Sequence, residues 1–319
     1  MAERTKLAGF VAFTVVMTTV IYPIVVYWGW SGAGIFNYTE NGESKSIAGP
    51  PLIDFAGSGI VHLVGGIGAL CGAIIVGARK GRFDPNHDED FDAHNIPFCV
   101  LGTFFLWFGW YGFNPGSTGA LHDIKAANTA ALVAVNTTLS PCIAGLVVFY
   151  LRARILPPKR LDVSAFCNGI LAGLVAVTAA CSVVKPWESC IIGFVAGLGY
   201  QAGSMLLDRL QIDDVVDAFP VHGVNGFWAI IAAGLFGDPG HGIGGNGVFY
   251  GGDQLGVQVV GVLAIIGWTA AWSVPVLFML RRAGLLRLSD NFQEQGADNM
   301  EHTPAKAYSD HDHYEHTKV

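Results

Sequence analysis

Eight long stretches of this 319-residue chain carry no Asp, Glu, Lys or Arg: 7–39, 55–78, 93–122, 126–151, 163–184, 189–207, 218–237 and 254–280. A helix needs about 20 apolar residues to cross the hydrocarbon core of a bilayer, and each stretch is of that order. Only 13% of the residues are charged, against roughly 25% in soluble domains, and they fall between the runs. This pattern disfavours a soluble core and predicts an all-α polytopic membrane protein of about eight transmembrane helices. The helices are placed near 8–29, 55–78, 97–115, 127–151, 163–184, 189–207, 218–236 and 256–280. The transmembrane domain is expected over 1–280 and a polar tail over 281–319.

Glycine is abundant inside the spans: Gly57, Gly59, Gly65, Gly66, Gly68 and Gly72 share one of them. Such residues weaken a helix in water, but in lipid they let helix backbones approach closely. A compact bundle is therefore expected. No small-residue cleavage site follows Met1-Ala2-Glu3-Arg4, so a cleaved signal peptide is not expected.

Lys and Arg are shared unequally between the two sets of alternate connections. One set, with both chain ends, carries 15 of the 18, and the other carries Lys45, Lys125 and Lys185. The positive-inside tendency then places both termini in the cytoplasm. Asn37-Tyr38-Thr39, a glycosylation sequon, would face outside. The net charge of −7 comes mainly from acidic loops such as Asp84 to Asp92, so no nucleic-acid partner is expected. The six cysteines lie within or at the ends of spans with no CxxC spacing. They read as buried free thiols, neither a redox framework nor a zinc site. No HExxH or intramembrane protease motif is present, which argues against an enzyme.

Two copies of a V-H-x-V-x-G pattern stand 160 residues apart, at Val61-His62-Leu63-Val64-Gly65-Gly66 and Val221-His222-Gly223-Val224-Asn225-Gly226. They fall on the second and seventh spans, which cross in opposite senses if the connections are short. That is the inverted-repeat arrangement of many transporters, whose sites lie near the midplane. Histidine is costly in a bilayer and marks a pathway by default. Two imidazoles can donate and accept hydrogen bonds, or pass a proton, along an otherwise apolar path. Asp54 and Asp217 precede the two histidines and read as helix N-caps, with Asp54 also supplying a field that draws in a cation. Structure is the larger part for Asp217, while Asp213 and Asp214 cap and tie the adjoining cytoplasmic loop. Tyr27, Trp28, Trp30, Trp110, Tyr111 and Phe113 close two helices on one side, mostly as an interfacial belt. Any that face inward can hold a cation over a ring.

Three runs carry a resemblance: Gly109-Trp110-Tyr111-Gly112-Phe113-Asn114-Pro115-Gly116-Ser117, Asp54 to His62, and Asp213 to Gly223. With Ala2-Glu3-Arg4 and Gly77 to Phe83, they resemble the ammonium transporter (Amt/Mep/Rhesus) family, in its Amt branch, from residue 2 to about 308. The resemblance implies a homotrimer with one pore per subunit, carrying ammonium or ammonia and methylammonium, without a cofactor. It assigns Trp30, Ser117 and Asp54 to ammonium recruitment, Phe113 to the gate, and His62 and His222 to the pore. It also implies a partial form of an eleven-helix inverted-repeat fold, lacking the first three helices and one gate phenylalanine. Transport by residues 1–319 alone is therefore not expected, whereas mixed trimers with full-length subunits are. In the tail, Met300 stands where plant members carry a phosphorylatable threonine, and His311-Asp312-His313-Tyr314-Glu315-His316 reads as a solvated run. The competing readings are an ammonium sensor signalling through its tail, and a non-conducting fragment that modulates full-length subunits. A cytoplasmic partner captured only on ammonium shift would mark the sensor.

Overall fold

The computed structural model describes residues 1–85, 91, 93 and 95–296. Among the described residues, seven helices are long and apolar enough to cross a membrane: α1 (Leu7–Trp30), α2 (Ser58–Val76), α3 (Ile96–Thr118), α4 (Ile124–Ile155), α6 (Pro186–Arg209), α7 (Phe219–Phe236) and α8 (Gln254–Arg282). Between α4 and α6 lies the shorter α5 (Val163–Thr178), and a one-and-a-half-turn α9 (Asp290–Gln295) follows α8. The eight expected spans are thus all helical. The tail features around Met300 and His311–His316 lie outside the described residues.

Two details differ from the sequence expectation. The fifth span was expected to run to 184, but its helix stops at Thr178 because other segments capture the backbone beyond it. Phe55 and Ala56 donate amides to the carbonyls of Ala179 and Thr178, and Asn136 Nδ2 donates to those of Cys181 and Val184. Those bonds satisfy carbonyls that a continued helix would have used internally. The α1–α2 connection also folds into a small antiparallel meander, β1 (Ala33–Gly34), β2 (Asn37–Glu40) and β3 (Glu43–Lys45), so the chain is not wholly α-helical.

α4, α5 and α6 pack on one another, and α2 packs with α7 and α8. α7 joins the two sets by packing on α5 and α6, and its start crosses the start of α2. Each of these starts is π-helical, over Ser58–Leu63 and Phe219–Val224, and each holds one motif histidine. The final glycine of each motif copy makes the crossing possible. A Cβ on Gly66 would lie 2.2 Å from the Gly223 nitrogen, and one on Gly226 would lie 2.8 Å from the Ser58 carbonyl oxygen. Backbone meets backbone at both points, which no larger residue allows.

The bundle end near residue 77 is tied by charge. Arg4, fully buried, donates to the carbonyls of Gly77 and Asp213. Arg79 grips the Asp213 carboxylate through Nε at 2.9 Å and Nη2 at 3.0 Å. Burial alone would push the Asp213 carboxyl up, but the bonds from Arg79 outweigh it and hold the group below its ordinary range. At the opposite end, Lys185 pairs with Asp238 at 2.8 Å and bonds the Tyr250 hydroxyl, tying the α5–α6 connection to the α7–α8 connection.

Candidate functional site

The two motif histidines face each other. His62 Nδ1 and His222 Nδ1 are 3.2 Å apart, and the rings stack with centroids 5.1 Å apart and planes 15° apart. A contact between two imidazole nitrogens needs one proton between them, so one ring donates and the other accepts. When both rings are neutral, the pair then offers its surroundings one Nε2–H donor and one Nε2 lone pair. His62 Nε2 is buried and has no protein partner. A buried, unpaired ring nitrogen is costly unless something small and polar meets it.

The walls around this pair are aromatic. Trp110 lies nearly parallel to His62 at 5.2 Å, and Phe113 sits 5.5 Å from it on the same helix face. The indole is fixed by its Nε1–H, which donates to Thr178 Oγ1 at 3.0 Å. Trp110 is therefore not part of an interfacial belt: it is 7% exposed and forms one face of the histidine site. Sequence reasoning grouped it with the belt because helix-end aromatics look alike before packing is known.

Trp30 and Asp54 are joined directly, the indole Nε1–H donating to the Asp54 carbonyl at 2.8 Å. The Trp30 ring covers Gly57, whose φ of +106° lets the chain turn into α2. The Asp54 carboxylate is buried and accepts four amides, from Gly57, Ser58, Gly59 and Ile60. It is an N-cap of unusual reach. Ser117 is exposed, and its hydroxyl donates to the Phe113 carbonyl at 2.8 Å.

Asp217 was expected to cap the second histidine helix, and its side chain does not. The cap is Asp214, whose Oδ2 accepts the Phe219 amide at 2.7 Å. The Asp217 carboxylate instead accepts bonds from the Tyr200 hydroxyl at 2.7 Å and from Ser204 Oγ at 3.1 Å, both on α6. Spacing would have revealed the right partner: Asp54 precedes His62 by eight residues, and Asp214, not Asp217, precedes His222 by eight. Below the second histidine segment, a cavity of about 650 Å³ is lined by Asp217, Tyr200, Ser204, Asn168, Arg152 and Arg79, among others.

A bundle of helices long and apolar enough to cross a membrane, with two histidines paired where two matched segments cross, is that of a polytopic membrane protein. The chain belongs to the Ammonium Transporter Family, whose profile matches residues 1–308. It is 38% identical over 333 aligned residues to ammonium transporter 1 member 1 of Solanum lycopersicum, covering 98% of this chain and 67% of that one. It is 35% identical to ammonium transporter Amt2 of Archaeoglobus fulgidus, covering 96% of this chain and 65% of that one. The fold is similar to a solved Sensor Amt Protein, with TM-score 0.78, 30% identity and coverage of 94% and 71%. It is also similar to Candida albicans Mep2, with TM-score 0.75, 30% identity and coverage of 90% and 61%. The chain thus spans about two thirds of the length of the curated relatives it matches.

Proposed function

We propose that this chain forms the permeation path of an ammonium transporter in the plasma membrane, with both termini cytoplasmic, as part of a homotrimer or of a mixed trimer with full-length subunits. Trp30, Ser117 and Asp54 recruit ammonium at the outer end, Phe113 gates the entrance, and ammonia passes His62 and His222. The observation that carries this reading is the paired Nδ1 contact with His62 Nε2 buried and unpartnered.

Desolvation decides what can cross. Taking a bare cation through an apolar bore costs several kcal/mol at least. Ammonium can shed a proton before the bore and cross as ammonia, which accepts or donates hydrogen bonds to the two imidazoles. Potassium has no proton to shed, so it meets the full cost, and selectivity follows from that difference. The proton travels apart from the ammonia. Asp54 has its carboxylate oxygens committed to four amides, so it acts through a fixed negative field below Trp30 rather than by touching the ion.

The test is methylammonium uptake in transporter-null yeast by a chimera in which the N-terminal part of the tomato relative precedes residue 1. Uptake that is saturable, unaffected by potassium and altered by His62→Ala or His222→Ala supports the reading. Unchanged selectivity in both variants at normal surface expression overturns it. A second reading, an ammonium sensor, is favoured by the likeness to the Sensor Amt Protein. Ammonium binding by the chimera without uptake would support it instead.

A further inference from the structure

The two histidine segments follow one plan at a constant offset of 160 residues, and they differ at one telling place. Asp54 and Asp214 are the caps, and Gly59 and Phe219 donate their amides to the matching oxygens. Three residues after each cap stands a residue in the left-handed region: Gly57 with φ +106° and Asp217 with φ +54°. The carbonyls of both accept the next turn in the same way, from Val61 and from Val221, each at 3.0 Å. The histidine follows five residues after the left-handed residue in both copies. Glycine enters that conformation freely, whereas a residue with a Cβ is strained in it, Asp less than most. The second copy nevertheless carries a side chain there, and the side chain is held. Tyr200 and Ser204, 1% and 6% exposed, both point hydroxyls at its carboxylate. Asn168 Nδ2 in turn donates to the Tyr200 oxygen at 3.3 Å.

We infer that Asp217 is a positioning residue for His222: its carboxylate, tied to Tyr200 and Ser204 on α6, locks the left-handed turn that sets the register of the second π-helical segment and so the Nδ1 contact with His62. The inference deepens the pore reading of His222 and rests on it for its consequence in transport. Its geometric part stands apart from transport. Residues on the first copy need no such tie, because Gly57 adopts the turn unaided and Trp30 covers it. Asp217 touches neither histidine and acts only through the backbone that follows it.

The experiment uses the full chain in lipid nanodiscs with ¹⁵N-labelled histidine, reading the inter-histidine hydrogen bond from the Nδ1 shifts and couplings. Wild type and Asp217→Asn, which keeps both the turn and an acceptor oxygen, should show it. Asp217→Ala should lose it. If that variant does not fold, Tyr200→Phe with Ser204→Ala removes the tie while leaving the turn residue in place, and should weaken the same signal. In the transport chimera, Asp217→Ala should lower the maximal rate on the order of 10- to 100-fold with little change in apparent KM, the pattern of a misplaced group inside a site rather than of lost recruitment. Asp217→Asn should restore most of that rate. Retention of the inter-histidine bond in Asp217→Ala, or its loss in Asp217→Asn, overturns the inference. Unchanged selectivity of His62→Ala and His222→Ala would instead overturn the pore reading and leave the spectroscopic result standing.

Discussion

The segments 54–66 and 214–226 reach the same crossing by different means. The first is built for backbone: glycine at the turn, four amides on one buried carboxylate, and an indole laid over the result. The second is built from side chains: one amide on Asp214, an aspartate at the turn, and two hydroxyls from α6 holding it. The first copy also buries its histidine more fully, since His62 is 8% exposed while His222 is only partly buried. Matched geometry therefore does not need matched residues, only matched constraints on where the chain turns and where it crosses its partner.

The crossing glycines give the most severe way to break this match. Gly66→Val and Gly226→Val each place atoms into the opposing backbone, which cannot yield as a side chain would, so each should cost about 3 kcal/mol or more and reduce folded protein sharply. Gly65 has open space at its Cβ, and Gly65→Ala should be tolerated. Thermal unfolding monitored by size-exclusion fluorescence separates the three. Normal stability in both valine variants would mean that the crossing is looser than drawn.

The caps provide a graded comparison. Removing the Asp54 carboxylate strands four amides in a buried turn, a loss of roughly 3 kcal/mol or more. Asp214→Ala removes a single amide acceptor, which is worth about 1 kcal/mol at a helix start. Denaturation midpoints of Asp54→Ala and Asp214→Ala should therefore differ clearly. Equal losses would show that the two copies share the load evenly, contrary to their hydrogen bonds.

The two ends of the bundle should fail at opposite extremes of pH. Asp213, held below its ordinary 3.8 by Arg79 against the opposing effect of burial, contributes stability above that value and loses it as pH falls through the lowered folded value. Lys185 is raised above its ordinary 10.5 by Asp238 first and Tyr250 second. Its contribution is complete below that value and is lost as pH rises through the raised folded one. Asp213→Asn should flatten the acid limb of a stability profile, and Lys185→Gln the alkaline limb. Either variant acting on the wrong limb would break the assignment.

Much of this was legible in the chain. Charge-free runs located every span because lipid tolerates few charges, and the repeated V-H-x-V-x-G located the two rings that meet. What the runs could not give was the end of α5, which is decided by Asn136 and by the amides of Phe55 and Ala56 far away in sequence. Nor could they tell Trp110 from a belt residue, since its partner Thr178 lies on another helix. Of the two capping roles read at the second histidine segment, Asp214 keeps its own and Asp217 is structural in another way, tied to α6. The constant spacing of eight residues before each histidine marks the difference.

Trp30 should give the smallest and most specific effect, because it meets the first segment from outside. Its Nε1–H bonds the Asp54 carbonyl and its ring lies over Gly57, while 40% of the residue stays exposed. In the pore reading, that exposed face holds ammonium by its ring, and a cation–π contact at a partly exposed site is worth about 1 kcal/mol. Loss of about 1 kcal/mol shifts occupancy roughly fivefold and leaves the histidine bore untouched. Trp30→Ala in the transport chimera should therefore depress methylammonium uptake mainly at low concentration and recover toward saturation. The same substitution also removes the cover from Gly57, but glycine keeps the turn without it, and the inter-histidine hydrogen bond should survive. Equal losses at all concentrations together with loss of that bond would make Trp30 a structural counterpart of Tyr200. The first segment would then need a side-chain tie just as the second does.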